Sequence, residues 1–214
     1  MAAVTVACAL LASPDSAHAY RRGLASAVGG ATIQEGHVAW LGLGYPSLGA
    51  GWGMAVHPVI DLLLHAEVIV GHPGQVDRFA VGGGGALAAR FGLVRGRTSL
   101  ALTVRAGGIA YGEGSGVAAL IDIVSPSVDL SFRLSPRVSL HTGIAVPLQY
   151  VTEPAQLTGG FMGSAGLSAR LTEGLALIAS VAAGGTLWTA QGAATARLDV
   201  MVGLEYHFGG QGAD

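Results

Sequence analysis

The chain has 214 residues, of which 51% are hydrophobic, only 11% are charged and 35 are Gly, with a mean hydropathy of +0.55. That is too apolar for an ordinary soluble domain of this size. A net charge of −2, with every basic residue an Arg, gives no reason to expect a nucleic-acid partner.

The composition points to a membrane, yet no run supplies the roughly 18 uninterrupted apolar residues that a membrane helix needs. Val59 to Val70 is short and holds Asp61, His65 and Glu67, and Leu175 to Trp188 is short and carries Gly184 and Gly185. Strands are expected instead. Residues 1–19 read as a secretory signal peptide, with an apolar stretch from Ala2 to Ala12, a breaker at Pro14, and Ala17-His18-Ala19 as a small-x-small cleavage site. A lipoprotein reading through Cys8 is the alternative, but Thr5-Val6-Ala7 fits poorly before a lipidated Cys. Cys8 is the only cysteine, so a chain cut after Ala19 has none, which removes disulfides, thiol nucleophiles and Cys-based metal sites.

Residues 20–33 are polar and Gly-rich and are expected to be a periplasmic lead-in. Alternation at period two then recurs over 34–44, 49–57, 59–70, 78–94, 97–111, 117–134, 138–149, 159–171, 175–188 and 194–208. In the third stretch Ile60, Leu62, Leu64, Ala66 and Val68 alternate with Asp61, Leu63, His65, Glu67 and Ile69. In the sixth the phase breaks: Ile121 and Ile123 share one parity and Val128, Leu130 and Phe132 the other, so a β-bulge is expected near Ser125-Pro126. Arg95-Gly96, Ser135 to Arg137 and Thr172 to Glu173 read as short turns on one side. Gly71 to Asp77, Gly112 to Gly116, Tyr150 to Thr158 and Thr189 to Gly192 read as longer loops on the other. The expected fold is therefore all-β: a transmembrane antiparallel up-and-down β-barrel over residues 34–208, with about ten strands and a short tail at 209–214. Eight strands remain open if residues 34–57 do not form a full hairpin.

The last stretch, ATARLDVMVGLEYHF, puts Ala194, Ala196, Leu198, Val200, Val202, Leu204, Tyr206 and Phe208 on one face and Arg197, Asp199, Glu205 and His207 on the other. An apolar face toward lipid and a polar one toward a lumen is what a barrel wall requires. Gly203, Tyr206 and Phe208 match the insertion signal of the C-terminal strand of Gram-negative outer-membrane β-barrels, and the chain resembles the small porin-like members of that group. The resemblance implies residence in the cell outer membrane among outer-membrane lipid, with insertion by the barrel-assembly machinery. Tyr45, Phe79, Tyr150 and Phe161 at one rim, and Phe91, Phe132, Tyr206 and Phe208 at the other, resemble the two aromatic girdles of such barrels.

Inward parity collects Arg90, Arg97, Arg105, Arg133, Arg170 and Arg197 against Asp61, Glu67, Asp129, Asp199 and Glu205, with His65, His141 and His207 between. A barrel of about eight strands is just filled by its side chains, so these charges are expected to pair and occlude the lumen; a narrow ion or small-solute path is the alternative. A turn at Arg95-Gly96 would set Gly83 and Gly84 opposite Gly108 and Gly107, a side-chain-free patch that either permits tight coiling or admits a lipid chain. Ser139 and His141 share a face, with Asp129 near, which raises a lipid-active enzyme as a third reading. No local motif supports it, and the expectation is a non-enzyme with no cofactor and no metal. The loop Gly112 to Gly116 lacks the Lys and helix of a phosphate loop.

Overall fold

The computed structural model describes residues 26–71, 79–113, 116–153, 155–188 and 194–209. The expected signal peptide, Arg78, the loop residues at 189–193 and the tail from 210 lie outside the described residues. The strands are β1 (His37–Tyr45), β2 (Ser47–His57), β3 (Ile60–Ile69), β4 (Gly82–Val94), β5 (Thr98–Glu113), β6 (Gly116–Arg133), β7 (Val138–Ala145), β8 (Leu148–Thr152), β9 (Ala155–Arg170), β10 (Leu175–Trp188) and β11 (Ala194–Phe208). Every pairing is antiparallel between neighbours, and β1 closes the ring on β11 from His37↔Phe208 to Tyr45↔Val200. Closure leaves no edge whose amide and carbonyl groups would face lipid unpaired.

β7 and β8 are two halves of one wall strand. β7 pairs Ser127 to Arg133 of β6, β8 pairs Leu120 to Val124, and both pair β9. The break falls at Val146-Pro147, where the proline has no N–H to give the ladder. The wall thus has ten strands, and β1 and β2 form a full hairpin, so the eight-strand alternative falls.

The alternation behaves as read. On β3, Leu62, Leu64 and Val68 are exposed outside while Asp61 and Ile69 are buried within. On β11, Leu198, Val200, Val202 and Leu204 face out and Glu205 is buried. An exposed apolar belt running round the molecule needs lipid to cover it. The phase reset in β6 also occurs, slightly earlier than expected: the register shifts between Asp122 and Val124, so Ile123 is the extra residue.

Three local expectations are corrected. Tyr150 to Thr158 is not a long loop, because Leu148–Thr152 and Ala155–Arg170 are strands that leave only 153–154 between them. The glycine pairing is off by two residues: Gly83 faces Ala110, Gly84 faces Ile109, and Gly85 faces Gly108. The cause is a longer turn, whose shift a bulge between Gly92 and Val94 reduces by one residue. The rims are also more alike than expected, since β5 and β6 extend to Glu113 and Gly116 and leave a short connection, whereas 70–81 separates β3 from β4.

Candidate functional site

The lumen has three levels. At the end where the 58–59, 95–97, 134–137 and 171–174 turns gather, the chain preceding β1 does not hang free. Residues 26–34, of which the sequence reading leaves 26–33 as a lead-in and puts Gln34 in the first strand, fold back across the inside of the barrel as a strap. It forms no ladder with any strand, so side chains from the wall satisfy its backbone. Ile33 N–H donates to both Asp61 carboxylate oxygens at 3.1 Å, and Ala27 N–H donates to Glu205 Oε2 at 2.6 Å. Gly30 N–H donates to Ser131 Oγ at 2.8 Å, and Arg90 Nη1 donates to the Ser26 and Gly29 carbonyls at 2.7 and 3.0 Å.

These anchors come from β3, β4, β6 and β11 because inward parity turns Asp61, Arg90, Ser131 and Glu205 to one level. Arg90 and Asp61 pair at 2.7 Å with side chains 1% and 0% exposed. Glu205 Oε1 meets His207 Nε2 at 2.7 Å. The strap sequence is as small as the space demands: a Cβ on Gly29 would fall on the His141 ring, and one on Gly30 on the Asp129 carbonyl. Ile33 packs beside Val38, with Ala27, Ala55 and Leu63 around them.

The middle level holds the looser charges. Arg105 lies 3.9 Å from both Glu67 and Asp122, and its side chain is 35% exposed. Arg197 Nε meets Asp199 at 3.2 Å, and Gln149 bonds Asp122. The Trp40 indole lies over inward glycines of β2, where a Cβ on Gly51 would overlap its ring, and it meets His65 edge-on with centroids 4.9 Å apart. At the far end the lumen turns apolar: Ile69, Ala80, Ile109, Tyr111, Ala118 and Leu120 form one buried cluster inside the mouth.

Arg90, Asp61 and Glu205 are therefore joined through the strap, and Arg105, Glu67, Arg197 and Asp199 share the middle level. Asp129 is held by the Thr103 and Ser127 hydroxyls, each at 2.8 Å. Arg133 and Arg170 are half-buried at the turn rim, where Arg170 lines a shallow hollow with Ser168, Glu173 and His207. Arg97 is corrected: β5 begins at Thr98, so Arg97 sits in the turn, exposed, and its Nε reaches the Arg133 carbonyl at 3.3 Å. Gly203 packs inside against β1, and Tyr206 and Phe208 stack outside at 6.0 Å, with Phe208 5.5 Å from His37.

The Ser139, His141 and Asp129 set is not assembled. His141 Nδ1 meets Ser131 Oγ at 2.8 Å and Nε2 meets Ser168 Oγ at 3.0 Å, so both ring nitrogens are spent on other serines. Sequence reasoning missed the strap, Asp122, Trp40, Ser131 and Ser168. Only the Gly29-Gly30 pair hinted at a close approach.

No protein-family model matches the chain, and no curated protein matches it. Among solved structures it is similar to the outer-membrane expressed OmpT of Vibrio cholerae, at 11% identity and a TM-score of 0.36, covering 76% of this chain and 56% of that one. The in-vitro folded form of the same protein gives 10% and 0.34, with coverages of 79% and 61%. Its loop L8 deletion variant gives 10% and 0.36, with coverages of 95% and 72%. The chain thus spans little more than half the length of the first. The geometry is that of a closed, antiparallel, outer-membrane-type β-barrel. The sequence reading of a non-enzyme does not stand beside these OmpT structures: a likeness of fold alone excludes no activity.

Proposed function

We propose that the chain is an integral protein of the cell outer membrane, exported through residues 1–19, that serves as a structural or interaction barrel with an occluded, salt-bridged lumen. The observation that carries this reading is the strap, which crosses the lumen and is bonded to four strands at once. The apolar cluster beneath the opposite mouth supports it from the other end. An ion entering there would meet this apolar cluster and give up part of its hydration, an unfavourable step. A narrow ion or small-solute path is the second reading, favoured by the partial exposure of Arg105 and its long 3.9 Å ion contacts.

Liposomes carrying the refolded barrel separate the two. Occlusion predicts that they hold potassium chloride and small sugars as tightly as empty liposomes, whereas a solute path predicts leakage that Arg105→Glu alters in selectivity. The same reading assigns insertion to the barrel-assembly machinery through Gly203, Tyr206 and Phe208. Removing residues 206–208 is expected to abolish surface assembly, and normal surface levels would refute that role.

A further inference from the structure

We infer that residues 26–34 are a releasable plug and that Arg90 is its latch. This rests on the occluded reading above and gives it a mechanism of opening at one end only. The first ground is how the anchors are paired. Asp61 keeps Arg90 at 2.7 Å, Glu205 keeps His207 at 2.7 Å, and Ser131 keeps His141 at 2.8 Å, all within the barrel wall. When the strap leaves, no buried charge is stranded, which is the usual large penalty for breaking a buried ionic contact.

The second ground is what the strap itself gives up. It makes no strand ladder, its apolar hold rests on Ile33 and Ala27 beside Val38, Ala55 and Leu63, and water can replace each of its hydrogen bonds once it swings out. Segments with few apolar contacts are the ones that open locally while the rest of a fold stays closed. The third is a ready hinge. Gln34 has φ 66° and Gly36 φ 75°, a reversal between strap and β1 in the left-handed region, and the Gly36 carbonyl is fixed to Ala55 N–H at 3.1 Å. Motion is thereby confined to the residues before β1. Arg90 is the latch because one guanidinium grips Asp61 on the wall and two strap carbonyls at once.

Release would expose the middle level, with Arg105, Arg197, Glu67, Asp122 and Asp199, to the turn side. The apolar cluster would keep the other mouth shut. The open state is a one-sided charged vestibule, not a pore.

The test uses the full chain with Cys8→Ser and Ala27→Cys, so that a single thiol reports on the strap from its half-buried site. It is refolded into lipid vesicles, and folding is checked by heat-modifiable gel mobility. Arg90→Lys keeps the charge beside Asp61 but cannot span the two carbonyls as well. It should raise the rate of labelling by a water-soluble maleimide about tenfold or more, as expected for an opened segment. Gly30→Leu, which leaves every anchor in place but cannot fit beneath Asp129, should do the same and stands in if Arg90→Lys does not fold. Both variants should stay electrically silent until combined with Tyr111→Ser, which wets the far mouth. Unchanged protection in the folded variants overturns the plug while leaving the occluded reading intact. Conductance from the parent barrel overturns the occluded reading instead, and the labelling rates still decide the plug. Faster labelling in Gly30→Leu with an unchanged rate in folded Arg90→Lys overturns the latch.

Discussion

The two ends of this lumen are lined by opposite chemistry. At the turn end a strap of small residues is held by Asp61, Arg90, Ser131 and Glu205, and each of these also has a partner in the wall. At the other mouth Ile69, Ile109, Tyr111 and Leu120 pack into one buried apolar cluster. A polar closure can exchange its bonds for water and reopen, whereas an apolar closure loses burial with every step of opening. In the occluded barrel that we propose, the difference marks the end at which a part can move.

The sharpest break of the comparison is Asp61→Ala. It strands the Arg90 guanidinium, 1% exposed, without its carboxylate, and should cost about 3–5 kcal/mol in urea unfolding of the folded barrel. Arg90 would then lean wholly on the strap carbonyls, so the anchor and the latch fail together. At the apolar mouth, Ile69→Ala removes a fully buried side chain and should cost about 2–4 kcal/mol in the same titration. It should leave protection of a thiol at position 27 unchanged, since it touches no strap contact.

Ser131→Ala is a milder probe of the polar closure. It leaves the Gly30 N–H and His141 Nδ1 without their partner, for about 1–2 kcal/mol, and amide exchange at Gly30 should quicken. The smallest effect is expected at the middle level. Arg105→Ala should change stability by about 1 kcal/mol or less, because the side chain is 35% exposed and its carboxylates are 3.9 Å away. Raising the salt concentration should shrink even that difference, which a urea titration at two ionic strengths checks.

The wall was legible in the sequence and the lumen was not, for one physical reason. Lipid imposes its requirement on each residue alone, so the alternation of β3 and β11 could be read strand by strand. Lumen contacts depend on register, which turn length and bulges set. A longer turn, partly offset by the bulge at Leu93, set Gly83 opposite Ala110, and Asp122 was passed over beside the phase break at Ile123. A three-residue turn left Arg97 outside. The strap is harder still, because Ser26 to Gln34 shows no periodicity and its partners lie on strands distant in the chain. Arg90 and Asp61 were identified as inward charges, but nothing local in the sequence told that a backbone segment lay between them and Glu205.

The central claim, closure at both ends, is met most directly by single-channel recording of the unsubstituted chain in a planar bilayer, after gel mobility has shown a folded barrel. The account predicts a silent membrane at both polarities. Steady, ion-selective steps from that same preparation would contradict it and make the middle-level arginines the lining of a narrow pore.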